Sequence, residues 1–549
     1  MNRISGNIVD VLNSSVYPGT IGIRNGRIAE IVKDDKKYDT YIIPGLIDSH
    51  IHIESSMLVP SEFARLAVVH GTVACLSDPH EIANVRGIDG INFMVENGKT
   101  VPFKFYFGIP SCVPATDFET SGARLDSGKI EELMKREDFK FLGEMMNIQG
   151  VLSGEPAVMA EIELAKKYGK RIDGHALGLR GEDLRKYTGT GITTDHETVD
   201  YEEGLEKLRS DMKLQIREGS AAKNFDALIG LVKDYPDDCM FCSDDKYPED
   251  LLNGHINDLV RRAMALGIDR MSVLRCACLN PVKHYGLDVG LLQAGDHADF
   301  VVIDNFREFN ILKTYINGEI VAENGRALMP ETAVDIVNNF SARKKGPSDF
   351  KVKVEGDRIN VIVAVDGQII TGKTVETPKI SNGYAIADTD RDILKLVVVN
   401  RYRDAPPSVG FVKNFGLEKG AIASSVAHDS HNIVAVGVSD DDIHAAVNLI
   451  IENKGGLAVA YNDHRRLLPL PIAGLMSDEN GCRVAGRSSE MDRLARELGS
   501  KLRAPFTTLS FMSLLVVPEL KLSDKGLFDV EKFELISLFE NRITLNPGG

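Results

Sequence analysis

The chain lacks the features that mark membrane and secreted proteins. It has no tryptophan, only seven cysteines among 549 residues, and no uninterrupted apolar run long enough to span a bilayer. Its first stretch, MNRISGNIVDVLN, has neither a long apolar core nor a small-residue cleavage site, so no signal peptide is expected. A sparse, odd number of cysteines is typical of a reducing compartment. We therefore expect a cytoplasmic protein.

Positive charge is also in short supply. The 64 basic residues are outnumbered by 80 acidic residues, which gives a formal net charge of −16. Nonspecific binding to nucleic acid or to anionic membrane requires a positive surface, so neither partner is expected. Hydrophobic residues at 43% and charged residues at 26% are ordinary for a globular protein, and 549 residues predict several domains. A homo-oligomer is compatible with this composition.

Residues 41–54, YIIPGLIDSHIHIE, combine an apolar strand with two histidines. Because alternate residues of a strand point to the same face, His50 and His52 would present two imidazoles side by side. Two nitrogen donors held on one rigid strand suit a divalent transition metal. An H-x-H pair alone also fits a half-exposed strand, but the preceding pattern PGLID favours the metal-binding interpretation.

Strand-like and helix-like segments alternate through residues 44–287, which predicts a (β/α)8 barrel. The predicted strands are 46–52, 72–78, 103–109, 141–146, 171–175, 192–196, 213–217 and 240–244. Helical patterns lie between many of them, for example at 60–70, 156–168, 201–210 and 221–235.

The segments outside the barrel predict two further domains. Residues 1–43 alternate apolar and polar residues between turn signals, and residues 288–335 show the same pattern of short strands and turns. The first segment is too short for a core of its own, so we expect the two to form one small β-sandwich domain. Residues 340–549 mix short strands with helices. The predicted fold class is therefore α/β: a TIM-like barrel with a flanking β-sandwich and an additional C-terminal α+β domain.

Polar residues collect at the ends of the predicted barrel strands, where barrel enzymes carry their catalytic groups. They are His50, His52, Asp78, His80, Glu144, His175, His196, Asp244 and Asp245. Imidazoles and carboxylates together offer mixed N/O ligation to two divalent ions such as Mn, Fe(II) or Zn. Glu144 is the predicted bridge between the ions, and Asp244 is the predicted proton carrier for an attacking water. His80 is a further predicted catalytic residue.

Several motifs resemble those of the adenine deaminases in the amidohydrolase superfamily. They are HIESSM (52–57), SDPHEIANVRG (77–87), GEMMN (143–147), DGHA (173–176), TDHE (194–197), CSDD (242–245), AHDSHNIVAVG (427–437) and AGLMSD (473–478). The resemblance covers nearly the whole chain, and no predicted ligand position departs from it. It implies purine salvage by hydrolytic deamination of adenine, a small-molecule substrate, to hypoxanthine and ammonia by a metal-bound hydroxide.

The resemblance also implies a particular ligand set. It implies two divalent ions, Mn(II) or Fe(II), with Zn(II) as an alternative. His50 and His52 would bind one ion, and His175 and His196 the other. Glu144 would bridge the ions, and Asp244 would complete the site.

Other functions stay open at this point. A cyclic-amide or aminopurine hydrolase related to dihydroorotases and hydantoinases usually carries a carboxylated lysine as the bridge, whereas this chain offers Glu144. A barrel kept only as an assembly scaffold would have lost a metal ligand, and none is missing. His52-x-Glu54 with Cys239-x-x-Cys242 superficially matches the zinc nucleoside deaminases, but the two halves are far apart and Asp238 replaces their proline.

The C-terminal loop 427–432, AHDSHN, allows two interpretations. His428, Asp429 and His431 lie on a predicted turn, where polar residues are usually solvated or cap a neighbouring element. Alternatively, the loop reaches over the barrel mouth toward Asp78 and His80, where it would exclude water, ligate a further ion or contact the purine. The predicted substrate or lid residues are Glu54, Asp78, Asp245, His428, Asp429 and His431.

Overall fold

The computed structural model describes residues 2–540. Its first four strands are β1 (Asn2–Asp10), β2 (Ser15–Arg24), β3 (Arg27–Lys33) and β4 (Tyr41–Pro44). Strands β2 and β3 form a hairpin whose turn residues, Asn25 and Gly26, both have positive φ angles, as the Asn-Gly signal predicts. Strand β4 pairs in parallel with β1 and leads into the barrel.

Eight parallel strands follow, and together they fit a TIM-like barrel. They are β5 (Leu46–Ile51), β6 (Thr72–Ser77), β7 (Lys104–Ile109), β8 (Phe139–Met145), β9 (Arg171–Gly174), β10 (Thr194–Asp195), β11 (Lys213–Arg217) and β12 (Cys239–Cys242). Strands β5–β9 form one sheet and β10–β12 a second. A hydrogen bond from Thr193 N–H to Ile172 O (3.0 Å) joins the sheets on one side, and one from Asp244 N–H to His50 O (2.9 Å) joins them on the other.

Helices follow or separate these strands. They are α1 (Pro60–Ala67), α2 (His80–Arg86), α3 (Ile88–Gly98), α4 (Ser127–Met134), α5 (Ile148–Ser153), α6 (Pro156–Lys167), α7 (Gly181–Gly189), α8 (Tyr201–Arg209), α9 (Phe225–Leu228), α10 (Pro248–Asn253), α11 (Ile256–Ala265), α12 (Arg270–Leu274) and α13 (Asn280–Tyr285). Short 3₁₀ segments cover Ile53–Ser56, Val68–His70 and Ile229–Lys233, and a π-helical turn covers Arg275–Leu279. Several helices begin as their sequences predict, for example α8, whose Asp200 side chain accepts the Glu203 N–H.

The helix expected over 221–235 is much shorter. The cause is Asn224, which is buried and tied to two loops. Its side chain accepts the N–H of Arg217 (2.6 Å) and donates to the carbonyl of His196 (2.9 Å). Residues before 225 are therefore held in an irregular loop, and α9 with its 3₁₀ extension begins only at Phe225.

After the barrel the chain returns to the N-terminal strands. Strands β13 (Phe300–Ile303), β14 (Ile311–Ile316), β15 (Glu319–Glu323) and β16 (Arg326–Ala327) complete an eight-stranded sheet in the order β16-β15-β14-β13-β4-β1-β2-β3. One face buries its own core, which includes Ile8 and Phe300. The opposite face, which includes Val9 and Val301, packs against barrel residues, as expected for alternating strand residues.

The C-terminal part is a mixture of strands and helices. Its strands are β17 (Val352–Lys353), β18 (Arg358–Ala364), β19 (Thr371–Glu376), β20 (Lys379–Ser381), β21 (Tyr384–Ile386), β22 (Ile393–Val399), β23 (Ser408–Lys413), β24 (Ala421–Ser424), β25 (Ile433–Gly437), β26 (Gly456–Tyr461), β27 (His464–Pro469), β28 (Leu520–Ser523), β29 (Gly526–Asp529), β30 (Glu534–Ile536) and β31 (Phe539–Glu540). Its helices are α14 (Asp440–Asn453), α15 (Gly481–Glu497) and α16 (Pro505–Ser510), with a 3₁₀ turn at Pro347–Phe350.

Nine of these strands form the central C-terminal sheet. Apolar residues of the barrel and of the C-terminal part belong to one continuous hydrophobic cluster, with Leu58 and Leu66 on one side and Leu470 and Ile472 on the other. The loop 427–432 connects neighbouring strands β24 and β25 of the sheet. No helix among residues 2–540 combines the length and apolarity needed to cross a membrane.

Candidate active site

The two histidines of the H-x-H motif lie at the end of β5, fully buried. His52 Nδ1 lies 3.0 Å from the backbone carbonyl of Asp78, which can only accept a hydrogen bond. Nδ1 therefore carries the ring proton, and a neutral His52 presents the lone pair of Nε2 to the interior. His50 Nε2 lies 3.2 Å from this atom.

Buried Asp48 fixes the backbone that carries these histidines. Its carboxylate accepts the backbone N–H groups of His50 (3.2 Å) and Ser243 (3.1 Å). His255 Nε2 lies 2.8 Å from the other oxygen of the same carboxylate. The ends of β5 and β12, which supply His50 and Asp244, are therefore held together by one side chain.

Glu144 occupies the centre of the histidine cluster. Its Oε1 lies 3.1 Å from His52 Nε2, and its Oε2 lies 2.7 Å from His175 Nδ1 and 3.2 Å from His196 Nε2. Burial alone would raise the pKa of the Glu144 carboxyl, but the surrounding histidines, His196 foremost, hold it well below its usual range. The carboxylate therefore stays ionised between two groups of imidazoles.

The donor set fits divalent metal ions. With Nδ1 of His52 protonated, the lone pair of Nε2 faces carboxylate oxygens of Glu144 and Asp244, each 3.1 Å away. Lone pairs that face one another at this distance repel, whereas a divalent cation between them is coordinated by all of them. Three overlapping groups of mutually close donors combine these four histidines with Glu144 or Asp244: His50–His196–Asp244, His50–His52–Glu144 and Glu144–His175–His196.

Arg217 and Glu197 also belong to the site, although neither was among the residues predicted from the sequence. Both are buried, and the Arg217 guanidinium contacts both oxygens of Glu197, with Nη2 to Oε2 at 3.1 Å. Nη1 also donates to Asp244 Oδ2 at 2.7 Å. Burial alone would raise the pKa of Asp244, but Arg217, followed by His50 and His52, together hold it well below its usual range. Arg217 ends a predicted strand, so it would have been found if all charged residues at the ends of barrel strands had been considered.

A second polar cluster lies beside the first, where helix α2 meets the C-terminal loop. Glu81 is buried, and its two oxygens are hydrogen-bonded by His428 Nδ1 and His431 Nε2. His80 Nε2 lies 3.6 Å from Glu81 Oε1 and 3.9 Å from Asp429 Oδ1. The loop 427–432 is therefore buried against the barrel mouth and not solvated. Glu81, part of the motif SDPHEIANVRG, was another residue that the sequence prediction missed.

The remaining predicted residues lie around these two clusters. Asp78 accepts the backbone N–H of Glu144 at 2.9 Å, and Asp245 accepts a hydrogen bond from Ser55. Glu54 accepts the N–H of Ile82 at 3.2 Å, and burial, followed by the neighbouring Glu81 charge, raises the pKa of Glu54 to about 7. Among residues 2–540, none of these three side chains is hydrogen-bonded to the four histidines of the first cluster.

A cavity with about 440 Å³ of empty space adjoins both clusters. One wall carries the polar groups, and the C-terminal part supplies an apolar wall of Ile369, Phe511, Leu514 and Val516. A larger cavity of about 1930 Å³ shares Glu197, Arg217, Ala222 and Ile369 with the first. It is lined further out by residues 366–370 and 503–508, so access to the site passes between the two parts of the chain.

Comparison with known proteins agrees with this architecture. Residues 41–321 match the amidohydrolase family, and residues 368–534 match the adenine deaminase C-terminal domain. The chain belongs to the adenine deaminase family. It is 52% identical to the adenine deaminase of Methanosarcina mazei over 98% of this chain and 100% of the relative. The adenine deaminases of Salinibacter ruber (53% identity, 98% of both chains) and Sulfurovum sp. (54%, 97% of this chain and 99% of the relative) are similarly close.

Proposed function

We propose that this member of the adenine deaminase family hydrolyses adenine to hypoxanthine and ammonia at a centre of two divalent ions. The observation that supports the proposal best is the position of Glu144. One of its oxygens faces His52, and the other faces His175 and His196. A single carboxylate placed between two sets of imidazoles is the arrangement that two neighbouring ions require.

Six side chains would hold the two ions. In this assignment His50, His52 and Asp244 would serve one ion, His175 and His196 would serve the other, and Glu144 lies between His52 and the latter pair. Mixed imidazole and carboxylate donors suit Mn(II), Fe(II) or Zn(II). When bound, such ions act as Lewis acids and lower the pKa of a water molecule toward neutrality.

Asp244 is the proposed proton carrier. Its Oδ1 faces His52 at 3.1 Å, and Arg217 binds its other oxygen, so the carboxylate is fixed in orientation and ionised. An ionised carboxylate can accept a proton from the attacking water and donate it to the amino nitrogen that leaves as ammonia. Arg217 does not touch the reacting atoms in this proposal; it positions Asp244.

His80 and the apolar wall are assigned to the substrate. His80 lines the cavity beside the first cluster, and its buried Nδ1 has no hydrogen-bond partner, because it lies 3.8 Å from Glu144 Oε1. We propose that it donates a hydrogen bond to the purine ring as negative charge develops there. The apolar residues Ile369, Phe511 and Leu514 would bury the flat face of the ring.

The alternative hydrolase function requires a different bridge. Dihydroorotase-like and hydantoinase-like enzymes were expected to carry a carboxylated lysine between the ions. In this chain the carboxylate that contacts both groups of histidines is Glu144. We therefore favour the aminopurine over the cyclic amide as substrate.

The test is ammonia release by the purified protein loaded with Mn(II). Adenine should be converted to hypoxanthine with one ammonia per turnover, while dihydroorotate and hydantoin should be inert. His196→Ala should lose both turnover and bound metal. His284→Gln is the matched control, because His284 hydrogen-bonds to Thr193 outside the cluster. Turnover of a cyclic amide with none of adenine would refute the proposal.

A further inference from the structure

The second cluster has the geometry of an ion site of its own. His80 Nε2, Glu81 Oε1 and Asp429 Oδ1 belong to three residues that are each at least 97% buried, and these atoms lie within 4.8 Å of one another. The distances from His80 Nε2 to the two oxygens, 3.6 and 3.9 Å, are too long for hydrogen bonds. Ligand atoms about 2.1 Å from a shared ion lie roughly 3–4 Å apart, which matches the observed spacing.

Unpaired polar atoms point to a missing ligand at the same place. Among the described residues 2–540, Asp429 Oδ2, His428 Nε2 and Glu54 Oε2 are buried without a hydrogen-bond partner. Buried polar groups are nearly always paired, so several unpaired atoms in one small region require an explanation. Glu54, Glu81 and Asp429 also bring three carboxyl groups into one buried interface, and a cation would offset their charge.

We propose that His80, Glu81 and Asp429 bind a third divalent cation, between the barrel and the C-terminal part of the chain. The donor set of one imidazole nitrogen and two carboxylates suits Mn(II), Fe(II) or Zn(II). His428 and His431 are not its ligands: they hydrogen-bond to Glu81 and so fix the orientation of the ligating carboxylate.

The cation has a consequence for His80. Coordination through Nε2 uses that lone pair, so the ring proton must lie on Nδ1. Nδ1 is the atom that faces Asp78 (3.7 Å) and Glu144 (3.8 Å). The third ion would thus keep His80 as a hydrogen-bond donor toward the first cluster. This part of the inference rests on the role proposed for His80 above, whereas the ion site itself does not.

The cation also joins two distant parts of the sequence. Glu81 lies in the first turn of α2, and Asp429 lies in the loop between β24 and β25. An ion that takes ligands from both holds the C-terminal loop against the barrel mouth.

The experiment counts ions. Protein saturated with Mn(II) and then desalted is analysed by plasma mass spectrometry. Wild type should retain three ions per chain, and Asp429→Asn should retain two. Glu161→Gln is the matched control, because Glu161 is a buried carboxyl group whose charged neighbour is Glu155 and not a residue of the group His80, Glu81 and Asp429, and it should retain three.

The position is checked independently by anomalous X-ray scattering at the manganese edge from wild-type crystals. This measurement is unaffected if Asp429→Asn fails to fold. A peak among His80, Glu81 and Asp429, in addition to those at the first cluster, is expected. Two ions in wild type, three in Asp429→Asn, or anomalous peaks at the first cluster alone would each overturn the third site. Failure of the proposed function would instead appear as absent ammonia release, whatever the ion count.

Discussion

Replacing Arg217 with methionine should destabilise the protein more in the metal-free state than in the metal-loaded state. The Arg217 side chain is 4% exposed and compensates two buried carboxylates, Glu197 and Asp244. Removing one partner of a buried ion pair typically costs about 3–5 kcal/mol, because the remaining charge is left uncompensated. Bound ions would neutralise Asp244 in part, so the loss should fall toward the lower end of this range when Mn(II) is present.

Urea denaturation followed by circular dichroism measures the free energy of unfolding of chelated and Mn(II)-loaded protein. The loss of stability in the double variant Arg217→Met/Glu197→Gln should be smaller than the sum of the losses in the two single variants. The reason is that Glu197→Gln removes a charge that Arg217→Met leaves uncompensated. The kcat of Arg217→Met should fall with little change in KM, since Arg217 orients Asp244 and does not bind substrate. If Arg217→Met lowered the free energy of unfolding of the chelated protein by less than about 1 kcal/mol, which is the range of an exposed ion pair, this reasoning would be refuted.

Three further predictions follow from the geometry. Asp244→Asn should keep its metal and its fold but lose most of kcat, because an amide cannot carry the proton. Normal kcat in Asp244→Asn with an inactive Asp245→Asn would assign the role to Asp245. His431→Ala should lower kcat/KM without unfolding the protein, because Glu81 loses one of its two histidine partners. Unchanged kinetics would show that the loop 427–432 does not contribute to catalysis. Complete burial lowers the pKa of Lys521 from 10.5 to about 7. Between pH 7 and 10.5 Lys521 therefore binds a proton in the unfolded state but not in the folded state. In that window the free energy of unfolding should rise with pH by up to about 1.4 kcal/mol per pH unit relative to Lys521→Met. Parallel pH profiles of the two proteins would contradict this prediction.

Much of the first cluster could be predicted because its position follows from local rules. Strand periodicity places His50 and His52 on one face, and barrel topology gathers the ends of all eight strands at one mouth. Strand β10 shows the limit: only Thr194 and Asp195 are in the strand, yet His196 still reaches the site because the neighbouring strands fix the direction of the chain. The roles of these residues as ligands stay predictions, as do the domain boundaries at 1–43 with 288–335, 44–287 and 340–549.

The second cluster could not be predicted in the same way. Glu81 meets His428 and His431 across 347 and 350 positions of sequence, and no periodic pattern relates a helix start to a loop so far away. Glu197 was missed for another reason. It ends the motif TDHE, in which His196 is the predicted ligand, and its partner Arg217 is not a metal-binding residue type.

The eight-stranded sheet is formed by residues that precede and follow the barrel in sequence, and this has a consequence for synthesis of the chain. Strand β4 pairs on one side with β1 and on the other with β13, which lies more than 250 residues later. Until the ribosome has released residues 300–303, one edge of β4 has unpaired backbone N–H and C=O groups. A nascent chain with a complete barrel therefore still displays a strand edge open to pairing with another chain. Chaperone capture or aggregation during translation should be concentrated at this stage, and should end when β13 closes the edge.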